Sequence, residues 1–202
     1  DAIVQAETTA RPNGKIIPIK YTASPIKDAK GNIKGALEYI TDVTAEKAVE
    51  KLISEAVNDV DALGVARISE GAHLRSIGVK QRIVVLEGCA TKADVAAAVQ
   101  QQLDIVVHDP VHFELLSNAG MPDSLEVWLK IDTGMGRLGF MPPKLAEVLQ
   151  RLESCSAVSK IVCVMTHLAC ADDSSNPMTL SQVSAFGRAI EAARELATSK
   201  YS

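Results

Sequence analysis

The hydrophobic and polar positions change rhythm near residues 45 to 60. Before that point the pattern is strand and turn. The run Ile16-Ile17-Pro18-Ile19-Lys20-Tyr21-Thr22-Ala23 is rich in β-forming residues, and Pro18 points to an edge strand. Asp28-Ala29-Lys30-Gly31-Asn32 predicts a turn, with Gly31 free to take a positive φ. Ile33 to Ile40 predicts a second strand, so the segment reads as an antiparallel hairpin. Thr44 then predicts an N-cap, with Glu46 in the first turn where the helix dipole favours an acid. In the helix that follows, Ala45, Ala48, Val49, Leu52, Ile53 and Ala56 recur at three- and four-residue spacing and form one apolar face.

From there strands and helices alternate. Short apolar runs predict strands at 62–66, 82–86, 104–107, 125–131 and 160–165. Amphipathic patterns predict helices near 69–78, 91–102, 110–119, 142–153 and 178–198. Such alternation implies βαβ units and a parallel sheet, and a sheet covered on both faces explains the near-continuous Val/Ile strands. The alternation alone does not choose between a barrel and an open doubly wound sheet. Gly134-Met135-Gly136 and Gly139 follow a strand, but no helix opens on them, so the dinucleotide-binding reading is weak, and no phosphate-cradling Gly-x-x-x-x-Gly-Lys occurs.

Composition narrows the classes. With 202 residues, 47% hydrophobic and 23% charged, the chain has enough apolar content for a packed core. Aromatics are 3%, which suits helices on parallel strands better than an aromatic-rich sandwich. The net charge of −4 and the lack of a basic, aromatic-interleaved cluster argue against nucleic acid. No run approaches the length of a membrane span, and no signal peptide is visible, so a cytoplasmic location is expected. Cys89, Cys155, Cys163 and Cys170 form no Cys-x-x-Cys pair and are expected as reduced, buried cysteines, with no metal site. His108 and His112 flank Pro110 and are expected as a solvated loop pair, not metal ligands, because Pro110 in the first turn leaves His108 outside the helix.

The segment Trp128 to Gly139 carries the most chemistry. It is a strand ending in a polar, glycine-rich loop with one Asp, one Thr and one Arg. In a parallel barrel the loops at the carboxyl ends of strands build the active site. Arg137, held between glycines on such a loop, is placed to grip an anionic oxygen with two donors.

This loop resembles that of pyridoxal-phosphate-dependent alanine racemases, whose run Lys-x-Asp-Thr-Gly-Met-x-Arg-x-Gly is matched at 130–139. Four further pieces agree in order: Asp61 to Gly71, Val84 to Gly88, Ile105 to Asp109, and Met165 to Asp172, resembling the second, third, fourth and sixth barrel strands. The resemblance covers about residues 55–202 and implies an α/β fold, a partial (β/α) TIM-type barrel with parallel strands. It implies pyridoxal phosphate as cofactor, alanine as the small-molecule partner and a homodimer.

Carried over by position, the resemblance implies a cofactor-binding set. Arg137 matches the arginine that contacts the cofactor's phenolic oxygen and the substrate carboxylate. Lys130 matches a lysine, carbamylated in some members, that holds that arginine. His167 matches the histidine beside the cofactor ring, and Leu86 an apolar residue packed near it. The plain alternatives are a solvated strand-end lysine at 130, a hydrogen-bonded core histidine at 167 and simple barrel packing at 86.

The family's Schiff-base lysine lies in a motif like Val-x-Lys-Ala-Asn-Ala-Tyr-Gly-His-Gly, which this sequence lacks. Lys20, after an apolar strand and before Tyr21, is a faint and remote echo without the family's Asn and Gly residues. The last barrel strands, the phosphate site and the C-terminal domain with its tyrosine base are also expected to be missing. Catalysis by the chain alone is therefore not expected.

Residues 12–50 resemble the C-terminal half of a PAS sensor domain of methyl-accepting chemotaxis proteins. Ile17-Pro18-Ile19, Ser24 to Asn32 and Gly35 to Thr44 carry the likeness, with Asp42-Val43-Thr44 at the junction between last strand and signalling helix. The expected organisation is a partial PAS-like hairpin with exit helix at 1–50, then a partial barrel at 51–202. The alternatives to a racemase-like fragment are a PAS-linked sensory module and an artificial or misjoined chimera.

Overall fold

The computed structural model describes residues 4–28, 30–57, 60–122, 124–173 and 175–200. The chain divides into two units at Asp59/Val60.

The first unit is a three-stranded antiparallel sheet and one helix. The strands are β1 (Val4–Ala10), β2 (Ile17–Lys27) and β3 (Ile33–Asp42), in the order β1-β2-β3, followed by α1 (Thr44–Ala56). The sequence predicts only a hairpin of β2 and β3. The added strand β1, Val-Gln-Ala-Glu-Thr-Thr-Ala, has no large apolar residue beyond Val4 to announce it. It makes β2 central, so the edge position read from Pro18 is wrong. The backbone shows why a proline is tolerated there. The Val43 N–H donates to the Pro18 carbonyl at 3.1 Å, while the Val43 carbonyl accepts from Lys47 N–H in the first turn of α1. The missing N–H of Pro18 falls where the β2–β3 ladder gives way to the helix, so no ladder bond is lost.

The turn between β2 and β3 is organised by Asp28, which accepts from the N–H groups of Lys30 and Asn32 at 2.9 and 3.0 Å. Gly31 there has φ +84°. Ala29, the remaining turn residue of the sequence reading, lies outside the described residues. Thr44 is not the N-cap but the first helical residue. Asp42 supplies the cap, accepting from Thr44 N–H at 2.8 Å and from its hydroxyl at 2.6 Å. Of the predicted apolar face of α1, Val49 and Leu52 stand exposed.

The second unit is an α/β half-barrel. Strands β4 (Ala62–Val65), β5 (Arg82–Val85), β6 (Asp104–Val107), β7 (Leu125–Lys130) and β8 (Val158–Met165) form one sheet in sequence order, every neighbouring pair parallel. Helices α2 (Ile68–Ser76), α3 (Lys92–Gln100), α4 (Val111–Ser117) and α5 (Leu145–Glu153) connect them, and α6 (Pro177–Lys200) follows β8. Strand order equal to chain order is the rule of a (β/α) barrel, and it removes the doubly wound alternative, whose strand order reverses. The core lies in the three central strands. Ile83, Val85, Val106, Val107, Val127 and Leu129 are fully enclosed, each worth roughly 1.5–3 kcal/mol of apolar burial. On the outside, α5 buries Leu145, Val148 and Leu152, the i, i+3, i+7 stripe of an amphipathic helix.

The amino-terminal ends of the strands are tied by two polar clusters. The Arg75 guanidinium donates to four carbonyls, those of Val79, Gln81, Gln101 and Gln102, at 2.8–3.0 Å. Arg82 bridges Asp104 and Glu126, and the Trp128 indole N–H donates to Asp104 at 2.7 Å. In a barrel this end serves stability, which leaves the carboxyl end for chemistry.

Candidate functional site

At the carboxyl end of the second unit, four strand ends converge on a cleft of about 320 Å³ lined by Ala66, Leu86, Glu87, Lys130, Arg137, Leu138 and His167. All four cofactor-set residues read from the sequence therefore share one cavity. Leu86 follows β5 and packs its side chain over Gly64 of β4, where even a Cβ would sit 3.4 Å from it. Packing and site lining coincide at this residue.

Lys130 is the last residue of β7 and is 4% exposed, which removes the solvated reading. Its amine has neither hydrogen-bond acceptor nor ion-pair partner among the described residues. Burial, first, and the neighbouring Arg137 cation hold its pKa below the usual lysine range; Asp132 opposes them in part. His167 lies just beyond β8. Its Nδ1 is buried without a hydrogen-bond partner among the described residues, unlike the hydrogen-bonded core histidine of the plain alternative. Burial, then Lys130 and Arg137, lower its pKa and favour the neutral ring.

Arg137 is presented by the loop from Asp132 to Gly139. Asp132 builds that loop, its carboxylate accepting from the N–H groups of Gly134, Met135 and Gly136 at 2.8–3.1 Å. Burial would raise its pKa, but these donors and the Arg137 N–H outweigh that and lower it. The loop is closed by paired bonds: Asp132 N–H to the Phe140 carbonyl at 2.8 Å and Phe140 N–H to that of Lys130 at 3.0 Å. Gly139 has φ +131°, and a Cβ there would lie 2.6 Å from the Asp132 nitrogen, so only glycine fits the closure.

Two loops are joined by a residue to which the sequence reading gave no role. Gln182 of α6 is 2% exposed. Its amide oxygen accepts from Ala169 N–H at 2.9 Å, and its amide nitrogen donates to the His167 carbonyl at 3.1 Å and the Thr133 hydroxyl at 3.4 Å. The Thr133 and Thr166 hydroxyls add a second tie at 3.0 Å. The β7 loop, with Arg137, and the β8 loop, with His167, are thus held together. The available signal was Gln182's position on the inward stripe of α6, seven residues before the buried Ala189.

Other sequence candidates fall elsewhere. Lys20 belongs to the first unit, exposed on β2 opposite Glu7 and Thr41. The solvated His108–His112 pair is corrected. His112 is 4% exposed and accepts from the His108 N–H through Nδ1 at 3.3 Å, with burial pushing its pKa down to about 4. His108 is half-buried, its Nε2 2.9 Å from the Glu87 carbonyl. The four cysteines are free, Cys89 and Cys155 buried and Cys163 and Cys170 only partly so. No group of three metal-ligating side chains occurs among the described residues, and no helix there is long and apolar enough to cross a membrane.

Comparison with known proteins agrees with this geometry. Residues 45–201 match the model of the alanine racemase N-terminal domain. The chain is 41% identical over 134 residues to alanine racemase of Shewanella woodyi, covering 66% of this chain and 37% of that protein. It is 40% identical over 139 residues to that of Shewanella sediminis, covering 69% of this chain and 39% of that protein. Among solved structures, biosynthetic alanine racemase from Pseudomonas aeruginosa superposes with a TM-score of 0.61 at 35% identity, covering 68% of this chain and 38% of that one. The enzyme from Corynebacterium glutamicum gives 0.61 at 32%, covering 73% and 41%. The chain thus spans about two fifths of the length of these relatives. The parallel half-barrel, its carboxyl-end cleft and the sequence match over 45–201 agree: the chain belongs to the alanine racemase N-terminal-domain family.

Proposed function

We propose that the second unit forms one wall of a pyridoxal-phosphate-dependent alanine racemase site, and that this chain does not racemise alanine by itself. The observation that carries the reading is the convergence of Leu86, Lys130, Arg137 and His167, from three strand ends, on one cleft. The residues fit the ring side of the cofactor. Arg137, without a carboxylate partner among the described residues, suits an anion, the His167 Nδ1, unpartnered among them, awaits a polar partner, and Leu86 and Leu138 offer apolar walls. Arg137 would hold an anionic oxygen of the ring or of the amino acid with paired donors, steadied by the Asp132 loop. The neutral His167 would stand beside the ring, its loop pinned by Gln182. Bound pyridoxal phosphate supplies the electron sink that makes an amino acid's Cα proton removable.

The other half of the chemistry is not in these 202 residues. The sequence lacks the family's Schiff-base lysine motif, and racemisation needs two bases on opposite faces of Cα. The reading carries with it alanine as the small-molecule partner, a homodimer and a cytoplasmic location, the last in keeping with four free cysteines. The test is a coupled D-amino-acid oxidase assay with L-alanine and saturating pyridoxal phosphate. The expected rate equals that of buffer. Turnover above it, abolished by Arg137→Met, would overturn the assignment of an incomplete site.

A second reading concerns the first unit. Three antiparallel strands run into a helix whose first turn is capped by Asp42 of the Asp42-Val43-Thr44 junction, as at the end of a PAS sensor module. We assign it to the last strands and exit helix of such a module, joined naturally or by an artificial junction. Sequencing the source DNA across codons 40–60 decides between the two: reads that cross it intact support a natural fusion, and their absence supports a misjoined chimera.

A further inference from the structure

We propose that Lys130 is a covalent carbonyl-capture site, its amine forming an imine with small aldehydes that carry an anionic group. The proposal rests on the reading of the cleft as an anion-binding site and deepens it. Among the described residues Lys130 is the only lysine lining the cleft. It is 4% exposed, and its amine has no acceptor among the described residues. A protonated ammonium in that position would be buried and unpaired beside Arg137. Loss of the proton relieves both costs and leaves a free lone pair, the state in which lysine is a nucleophile.

Arg137 gives the site its ligand class. It lines the same cleft and presents a planar guanidinium with paired donors. A carboxylate or phenolate gripped by its paired donors sets an adjacent carbonyl carbon in the small space shared with Lys130. The neutral amine attacks that carbon. The C–N bond forms, the C=O π pair moves to oxygen, and the amine proton follows it to give a carbinolamine. Water then leaves with the remaining amine proton as C=N forms, so amine plus aldehyde gives imine plus water. No redox partner is needed. Leu86 and Leu138 shield the product from bulk water, which slows hydrolysis.

The test treats the full chain at pH 7.5 with glyoxylate in one arm and pyridoxal 5′-phosphate in the other. Cyanoborohydride traps any imine, and peptide mass mapping locates it. The expected result is one dominant adduct on Lys130 in both arms. Arg137→Met should lower its yield about tenfold while Lys130→Arg abolishes it, with the far-ultraviolet circular dichroism of both variants unchanged. Labels spread over the exposed lysines with Lys130 unmodified would overturn the proposal, as would a Lys130 yield unaffected by Arg137→Met. The two readings fail separately. Glyoxylate adducts without pyridoxal phosphate adducts keep the capture site and count against the cofactor site. Reversible pyridoxal phosphate binding with Lys130 unlabelled does the reverse. If Lys130→Arg misfolds, the map of the wild-type chain still decides.

Discussion

Replacing Lys130 by methionine should stabilise the second unit. The lysine is 4% exposed, without hydrogen bond or ion pair among the described residues, and faces the charge of Arg137 with only partial compensation from Asp132. Methionine has a similar shape, so no cavity opens, and the buried polar head is removed. Unpaired buried polar groups cost about 1–3 kcal/mol in folded proteins, a rise in Tm of roughly 3–9 °C for a unit of this size. The pH dependence identifies the cause. Folding lowers the Lys130 pKa, so between that value and about 10.4 the unfolded chain binds more protons than the folded one. Wild-type stability therefore rises with pH through that window, while below it the penalty is constant and complete. The advantage of Lys130→Met should be full below the folded Lys130 pKa and shrink towards pH 10. Thermal melts followed at 222 nm across that range measure it. A methionine variant that melts lower than wild type at pH 7, or whose gain is the same at pH 10, refutes the account of an unpaired buried amine.

Other changes probe the framework of the cleft. Gln182→Leu leaves the Ala169 N–H and the His167 carbonyl without partners, and should cost about 2–3 kcal/mol in urea unfolding; a loss below about 0.5 kcal/mol means the loops hold without it. Asp132 has a lowered pKa, so its contribution is present above about pH 3.9 and is lost as pH falls through the folded value. Asp132→Asn, with one acceptor oxygen kept, should flatten the acid limb of the stability curve; an unchanged limb excludes this carboxylate as its source. Arg75→Met strips donors from four carbonyls at the far end of the sheet and should lower stability by about 2–3 kcal/mol, with pyridoxal phosphate affinity equal to wild type. A parallel loss of affinity means the two ends of the sheet are coupled.

The barrel half was legible because its signals are local. Asp104-Ile105-Val106-Val107 is a buried strand by composition alone, and the stripe of α5 is explicit in Leu145, Val148 and Leu152. The cleft positions of Lys130 and Arg137 were legible through one loop, where glycines at 134, 136 and 139 announce an irregular backbone around Arg137. Tertiary facts were not. Strand β1 has small, polar side chains and is fixed by pairing with β2 across a turn at Pro12–Gly14. His112 seemed solvated because histidine beside Asp109 and Pro110 resembles a loop, yet the chain folds it against Gly88, where a Cβ would lie 2.7 Å from its ring. Gln182 resembles any polar residue of a surface helix until the β7 and β8 loops it serves are brought together, 49 and 15 residues away along the chain.

The central claim is that Arg137, Lys130, His167 and Leu86 form one side of a cofactor cleft. Equilibrium titration of the full chain with pyridoxal 5′-phosphate, followed by quenching of its single tryptophan, Trp128, tests it most directly. The account predicts saturable binding, weakened about tenfold or more by Arg137→Met and unaffected by Lys20→Met. Non-saturating quenching, or equal affinity in wild type and Arg137→Met, would contradict it.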